Sequence, residues 1–74
     1  MDALDGRPAV VVVYEHGLHV IDVFSRPTPA DDVGPRASSS RGFNIVFWRR
    51  HGFEFQAVSD LDAGELRRFV ELFR

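Results

Sequence analysis

The sequence of 74 residues predicts one small domain of the α+β class, in which two antiparallel β-hairpins form one sheet and a C-terminal helix packs on one face. Three observations predict this class. Two C-terminal segments alternate with the period of two that half-buried strands need and two N-terminal segments are rich in strand-forming residues, turn residues separate the four in pairs, and the last dozen residues change to the helical period. The order strand, strand, loop, strand, strand, helix is typical of α+β domains.

The first hairpin begins at Pro8, where a valine-rich run predicts a strand over residues 8–14. A turn at Glu15, His16 and Gly17 leads to a second predicted strand over 18–24. The tip, EHGLHV, echoes RHGFEF in the second hairpin, which we interpret as one turn chemistry used twice. We expect the two hairpin tips to point in the same direction.

The segment 26–40 separates the hairpins and contains three prolines, a glycine and three consecutive serines. This composition predicts a mobile loop. Fifteen residues without structure are unusual in a small domain, so the loop is either functional or tolerated because loop-closure entropy grows slowly with length.

The second hairpin is predicted from strands over 42–49 and 53–58, joined by a turn in which Gly52 adopts a left-handed conformation. A helix is then predicted over 63–73. Asp62 is its expected N-cap, with Glu65 three residues further on as in a capping box. Leu61 and Leu66 occupy the two positions of a hydrophobic staple.

The helix carries an apolar stripe that faces the sheet. Its members recur at i, i+3, i+4 and i+7, and Leu72 is expected to widen it; they are Leu66, Phe69, Val70 and Phe73. A helix of about 12 residues is only about 18 Å long and 10 Å across, whereas four strands at a spacing of about 4.8 Å make a sheet nearly twice as wide as the helix.

The sequence therefore predicts an apolar sheet surface that this helix does not cover. Strands that are apolar on both faces belong in covered sheets, so we expect a partner, most simply a second copy of the chain. The predicted interaction patch consists of Ile21, Val23, Val46 and Trp48. Trp48 itself is either part of a recognition patch for a ligand or protein, or part of a dimer core.

Composition excludes several functional classes. The net charge of −2, with dispersed basic residues, gives no electrostatic reason to expect nucleic acid as a partner. The absence of cysteine excludes disulfides, thiolate metal sites and cysteine nucleophiles. No apolar run approaches the roughly 20 residues of a membrane helix, and the N-terminal sequence lacks the pattern of a signal peptide. We expect either a cytosolic protein or a piece of a longer one.

Catalytic and metal-binding constellations are weak. His16, His19 and His51 are the candidate metal ligands, with Glu15 as a fourth, but their spacing matches no recognised zinc pattern. Ser38 to Ser40 fall in the predicted loop, and no nucleophile or carboxylate pair stands beside a general base. We therefore predict no enzyme activity, no cofactor and no physiological metal.

The chain resembles the C-terminal extracytoplasmic domain of proteobacterial membrane-anchored anti-sigma factors. The resemblance lies in VVVYEHGLHVIDVF and RGFNIVFWRRHGFEFQAVSDLDAGELRRF, which flank the predicted loop. Asp22, where the family pattern has asparagine, and the long loop are departures from it. The matching residues are Tyr14, His19, Val20, Ile21, Phe24, Pro27, Gly42, Phe43, Asn44, Trp48, Gly52, Val58, Ser59, Asp60, Leu61, Glu65, Leu66 and Phe69.

The resemblance implies a periplasmic sensor or regulatory domain that has no catalytic activity and belongs to a single-pass regulator of transcription. The sigma factor would bind a cytoplasmic segment outside this sequence, and a membrane helix would precede it. A periplasmic protein or protease would then be the partner of this domain, beside the homo-oligomer expected from its apolar sheet. The alternative is a free-standing cytosolic domain that dimerises or binds a small ligand through its uncovered sheet face.

Overall fold

The computed structural model describes residues 2–4 and 7–74, with side chains from Ala9 onward. Five strands form an antiparallel sheet, and a short N-terminal strand pairs with its edge. The helix packs on one face, so the predicted α+β class is confirmed. The elements are β1 (Asp2–Leu4), β2 (Arg7–His16), β3 (His19–Pro27), β4 (Val33–Ser40), β5 (Phe43–Arg50), β6 (Phe53–Ser59) and α1 (Ala63–Phe73).

The spatial order of the strands is β1-β2-β3-β6-β5-β4, and every neighbouring pair is antiparallel. The last strand along the chain, β6, therefore lies in the middle of the sheet between β3 and β5. Each predicted strand has a counterpart in the structure, with ends that differ by up to three residues, and the helix has the predicted bounds.

The prediction of a loop over 26–40 is wrong for most of that segment. β3 continues to Pro27, and Val33–Ser40 forms the edge strand β4, paired with β5. Residues 28–32 are the only ones that link the two strands. The register shifts between Val33 and Arg36, so Pro35 lies in an irregular part of an edge strand, where a residue without an N–H group is tolerated. Most β4 side chains are exposed, which explains their polar composition.

The tight turns use positive backbone φ angles. Arg41 and Gly42 join β4 to β5, and His51 and Gly52 join β5 to β6; all four have positive φ, as type I′ turns require. Between β2 and β3 only Gly17 has positive φ, at the first turn position, as in type II′ turns. The echo between the two His-Gly pairs is therefore not a structural repeat.

The two hairpin tips lie at opposite ends of the sheet, contrary to the prediction. β3 runs antiparallel to β6, with Asp22 opposite Val58 and Pro27 opposite Phe53. The start of β3, next to the first tip, therefore lies beside the end of β6. The turn at His51 and Gly52 lies beside the end of β3, where the Gly52 carbonyl accepts a hydrogen bond from the Thr28 amide at 2.9 Å.

The hydrophobic core lies between the helix and the sheet. Leu61 before the helix and Leu66 in its first turn form the predicted staple, and both are buried. Aromatic rings extend this core: Trp48 stacks on Phe55 at a centroid distance of 5.0 Å, and Tyr14 meets Phe69 edge-on at 5.3 Å. The buried cluster consists of Ile21, Val23, Val46, Trp48, Ala57, Leu61, Leu66 and Val70.

The start of the helix is the predicted one. The Asp62 carboxylate accepts hydrogen bonds from the amides of Gly64 at 3.0 Å and Glu65 at 3.4 Å, which satisfies two of the free N–H groups of the first turn. The expectation that Leu72 widens the apolar stripe is wrong. Its side chain is 84% exposed, because it points away from the sheet.

Polar side chains hold the connection from β6 to α1. The Ser59 hydroxyl donates to the carbonyl of Val20 at 2.8 Å and accepts from the amide of Leu61 at 3.1 Å. The Asn44 side-chain amide donates to the Leu61 carbonyl at 2.7 Å. These bonds fix the chain at the point where Leu61 enters the core, and they satisfy the buried Ser59.

Candidate interaction surface

The predicted interaction patch lies inside the core. Ile21, Val23, Val46 and Trp48 are at most 2% exposed, because the helix covers the sheet face that carries them. The prediction that they form an accessible patch is therefore wrong. Along each strand the apolar residues alternate between the two faces of the sheet. The helix packs on the face that carries Trp48.

None of the described residues forms a helix over the opposite sheet face, which we call the open face. Its members follow from the strand register, since residues directly opposite each other in neighbouring strands share a face. Val13 is 60% exposed, and Val20 and Phe43 are each 49% exposed. The apolar residues of the open face are Val11, Val13, Val20, Phe24, Val33, Phe43, Ile45, Phe47 and Val58.

Charged residues divide the open face into two halves along the strands. Glu15 on β2 and Asp22 on β3 lie toward the end of the sheet that carries the Gly17 turn, and we call this the acidic half. Toward the end that carries the Gly52 turn, three arginines and one glutamate share the same face. This basic half contains Arg26, Arg36, Arg49 and Glu54.

The basic half is built around Glu54. Arg26 donates to Glu54 Oε2 from Nε at 2.8 Å and lies within 2.6 Å of it through a terminal nitrogen, while Arg49 Nε donates to Oε1 at 3.3 Å. The Arg49 guanidinium also lies 5.1 Å from the ring centroid of Phe47. Burial raises the pKa of Glu54, but the hydrogen bonds and charges of the two arginines outweigh it and hold that pKa below its ordinary value of 4.5.

A shallow depression marks the end of the acidic half. It is bordered by Leu18, Val20, Phe43 and Asp60, and Leu18 is fully exposed. His19 Nδ1 lies 2.8 Å from Asp60 Oδ1 in an exposed ion pair or hydrogen bond. A second shallow cleft lies between the end of β2 and the helix, next to His16, Glu65 and Leu72. Both are open to solvent.

The histidines do not converge. His16 and His19 face each other across the first hairpin, whereas His51 lies at the opposite end of the sheet, where its backbone amide donates to Asp32 at 3.1 Å. Within residues 2–4 and 7–74, no group of three or more histidine, aspartate or glutamate side chains is arranged to bind a metal ion. Glu15 projects from the open face and His16 from the helix face, so the expected fourth ligand also points away.

The three serines of the segment 26–40 and two of the aspartates lie at positions set by the fold. Ser38, Ser39 and Ser40 are exposed on the edge strand β4. Asp62 caps the helix and Asp32 accepts from the turn at His51. The part of the chain that the structure describes contains no helix that is both long and apolar enough to cross a membrane.

Sequence reasoning missed the contribution of β4 to the open face. Arg36 and Ser38 share this face with Phe47 and Ile45, their partners on β5. The segment carries no apolar alternation, since an edge strand with exposed side chains needs none. The signal present was the Arg-Gly pair at 41 and 42, which forms a two-residue hairpin turn and implies a strand before it as well as after it.

No protein-family model matches the chain, and neither a curated protein nor a solved structure matches it. The assignment of function therefore depends on the surface geometry and on the resemblance of the two sequence segments.

Proposed function

We propose that this chain is a regulatory domain without catalytic activity that acts through protein contacts on its open face. In this proposal it is the periplasmic sensor portion of a membrane-anchored anti-sigma factor, and it influences transcription through a cytoplasmic segment of the same protein. The observation that carries the proposal is the open face itself. It presents half-exposed valine and phenylalanine side chains without a covering element in the described part of the chain.

Extended apolar surface of this kind is costly to leave in water, and on soluble proteins it marks sites of association. On the open face, apolar residues occupy the centre and part of the acidic half, and charged residues stand toward both ends. A central apolar region with charges around it is the usual composition of protein–protein interfaces. The surface depressions are shallow, which favours a broad protein partner over an enclosed small molecule.

The resemblance supports the more specific part of the proposal. Several of its residues stand together where β6 leads into the helix: Asn44, Ser59 and Leu61 are joined by hydrogen bonds. Trp48 and Leu66, which also match the family pattern, lie in the core. The matching positions are thus ones that a shared fold would require, and the regulatory role is inferred from the resemblance.

The test is the location of the domain in cells. A tagged gene product expressed in its native host should fractionate with the membrane, and protease added to spheroplasts should digest this domain while a cytoplasmic marker protein stays intact. A gene product that lies in the cytosolic fraction and resists protease until lysis would contradict the periplasmic assignment. Removing residues 9–74 should then change the amounts of sigma-dependent transcripts.

The alternative is a free-standing cytosolic domain that dimerises or binds a small ligand through the open face. The same exposed apolar surface supports this alternative, because exposed apolar area favours binding of a partner or ligand in the cytosol as much as in the periplasm. A thermal-shift screen addresses the ligand version: a compound that binds only the folded state raises the melting temperature. A cytosolic location together with such a hit would favour the alternative.

A further inference from the structure

We propose that the occupant of the open face is a second copy of this chain, bound face to face with its strands reversed. This inference rests on the proposed function, since it names the partner of the same surface. It is carried by the distribution of charge, the area of the face and the position of one aspartate.

The open face is self-complementary in charge. Its acidic half holds Glu15 and Asp22, and its basic half holds three arginines against one glutamate. Two copies placed with the same ends together would bring like charges into contact. A rotation about a two-fold axis that lies in the interface and runs across the strands instead places each acidic half over the basic half of the other copy. Such an interface is isologous and closed, as in most homodimers.

The centre of the face supplies the apolar contact. Phe24, Ile45, Phe47 and Val58 lie on the three adjacent strands β3, β6 and β5, near the proposed axis. Two sheets stacked in this way pack about 10 Å apart with their strands inclined by about 30°, so that such side chains interdigitate. The axis would therefore bring the four residues against the same four residues of the second copy.

The area of the face suits a homodimer of modest affinity. Five strands at about 4.8 Å spacing, over about six residues at 3.3 Å each, present roughly 500 Å² per copy. Two copies would bury about 1,000 Å², near the lower end of specific interfaces. We expect a dissociation constant on the order of micromolar.

Asp22 places a partly exposed carboxylate next to the apolar centre of the open face. Its carboxylate lies between Val13 on β2 and Val58 on β6, and it makes no side-chain hydrogen bond or ion pair with the residues that the structure describes. Asp22 borders the solvent-open depression of the acidic half, and once a second copy displaces that water its carboxylate needs a cationic partner. Because the axis runs across the strands, β3 lies over β3 of the second copy, and the cationic side chain nearest to Asp22 is then Arg26 of that strand.

The test uses two valines of the same strand. Val13 on the open face is 60% exposed and Val10 on the helix face is 53% exposed, so lysine at either position is compatible with the fold. Sedimentation equilibrium of the 74-residue chain over a range from 1 µM to 1 mM (about three decades around the expected value) would measure association. Val13→Lys should raise the dimer dissociation constant at least tenfold, and Val10→Lys should leave it within about twofold.

A charge reversal provides the second pair of variants. Asp22→Arg should also raise the dissociation constant at least tenfold, because it places a cation against the basic half. Asp31→Arg makes the same change in net charge on the exposed connection between β3 and β4 and should leave the constant unchanged. Far-UV circular dichroism of each variant should match the parent.

Three results would overturn the proposal: a parent chain that stays monomeric throughout the range, equal effects of the two lysine variants, or an Asp22→Arg variant that dimerises like its control. These outcomes are separate from the cellular test of function. A monomer located in the periplasm would refute the dimer alone, and a dimer located in the cytosol would refute the anti-sigma assignment alone.

Discussion

Trp48→Ala tests whether this residue belongs to the core of the single chain or to an interface. The Trp48 side chain is 1% exposed, its ring stacks on Phe55 at a centroid distance of 5.0 Å, and Phe73 of the helix meets it edge-on at 6.0 Å. All these contacts lie within one chain. Replacing Trp48 by alanine should therefore lower the free energy of unfolding of the monomer, and the size of this decrease should not depend on protein concentration.

The magnitude follows from the burial of the indole ring. Replacing a fully buried tryptophan by alanine costs about 3–5 kcal/mol, through lost apolar burial and the cavity that remains. A domain of this size is stable by about 4–11 kcal/mol in total, taking 0.05–0.15 kcal/mol per residue. At a urea slope of about 1 kcal/mol/M, the transition midpoint should fall by about 3 M or more.

Urea unfolding followed by circular dichroism measures this change, at 5 µM and again at 200 µM protein (a range of about 40-fold, over which the stability of an associating species would shift). Trp48 is the only tryptophan, so the parent should also show a blue-shifted emission that moves to the red on unfolding. A variant with parental stability would refute the packing argument. A loss of stability that appears only at the higher concentration would indicate that Trp48 packs at an interface between two copies.

Three further predictions concern stability. Leu66→Ala should cost about 2–5 kcal/mol and Leu72→Ala less than about 0.5 kcal/mol in urea unfolding, because the first leucine is fully buried and the second is 84% exposed on the same helix; equal costs would contradict the helix orientation. Because the pKa of Glu54 is lowered in the folded state, its contribution to stability is present above the unfolded-state pKa near 4.5 and is lost as the pH falls through the folded-state pKa. Glu54→Gln should therefore lower the free energy of unfolding at pH 7 by about 2 kcal/mol and make that free energy less dependent on pH below 4.5. An acid dependence equal to that of the parent would contradict the ion-pair assignment. Asp62→Ala should lower the free energy of unfolding by about 1 kcal/mol because it removes the N-cap, whereas Asp62→Asn should keep most of the stability that the cap contributes. A melting temperature that alanine leaves unchanged would refute the cap.

Local signals in the sequence were sufficient for the second hairpin and the helix. A glycine turn between alternating strands and an N-cap before an apolar stripe depend on neighbours within a few residues, so Gly52 and Asp62 could be assigned without a structure. The edge strand β4 could not, since its exposed serines satisfy no apolar pattern. Its strand conformation is set by pairing with β5, a contact that the composition of the segment does not reveal.

The candidate surface could be predicted only in part. The sequence shows two sets of apolar residues on opposite faces of the sheet. Which face the helix packs on depends on the volumes of the side chains on that face. The set with Trp48 combines a large indole with the small Ala57, a shape into which Leu66 and Val70 pack, whereas the other set includes charged residues that would be costly to bury under an apolar helix. The triad of Arg26, Glu54 and Arg49 was also beyond sequence reasoning, because it joins three strands through long-range register.

The most direct test of self-association through the open face is a dilution series of methyl NMR spectra. Valine and isoleucine methyl groups report each face separately: Val13, Val58 and Ile45 lie on the open face, and Val46 and Val70 lie in the core. Between 10 µM and 1 mM protein (about two decades around a micromolar constant), the open-face methyl signals should shift with a common dissociation constant while the core signals stay in place. Open-face signals that do not move over this range, or core signals that move instead, would contradict self-association through this face.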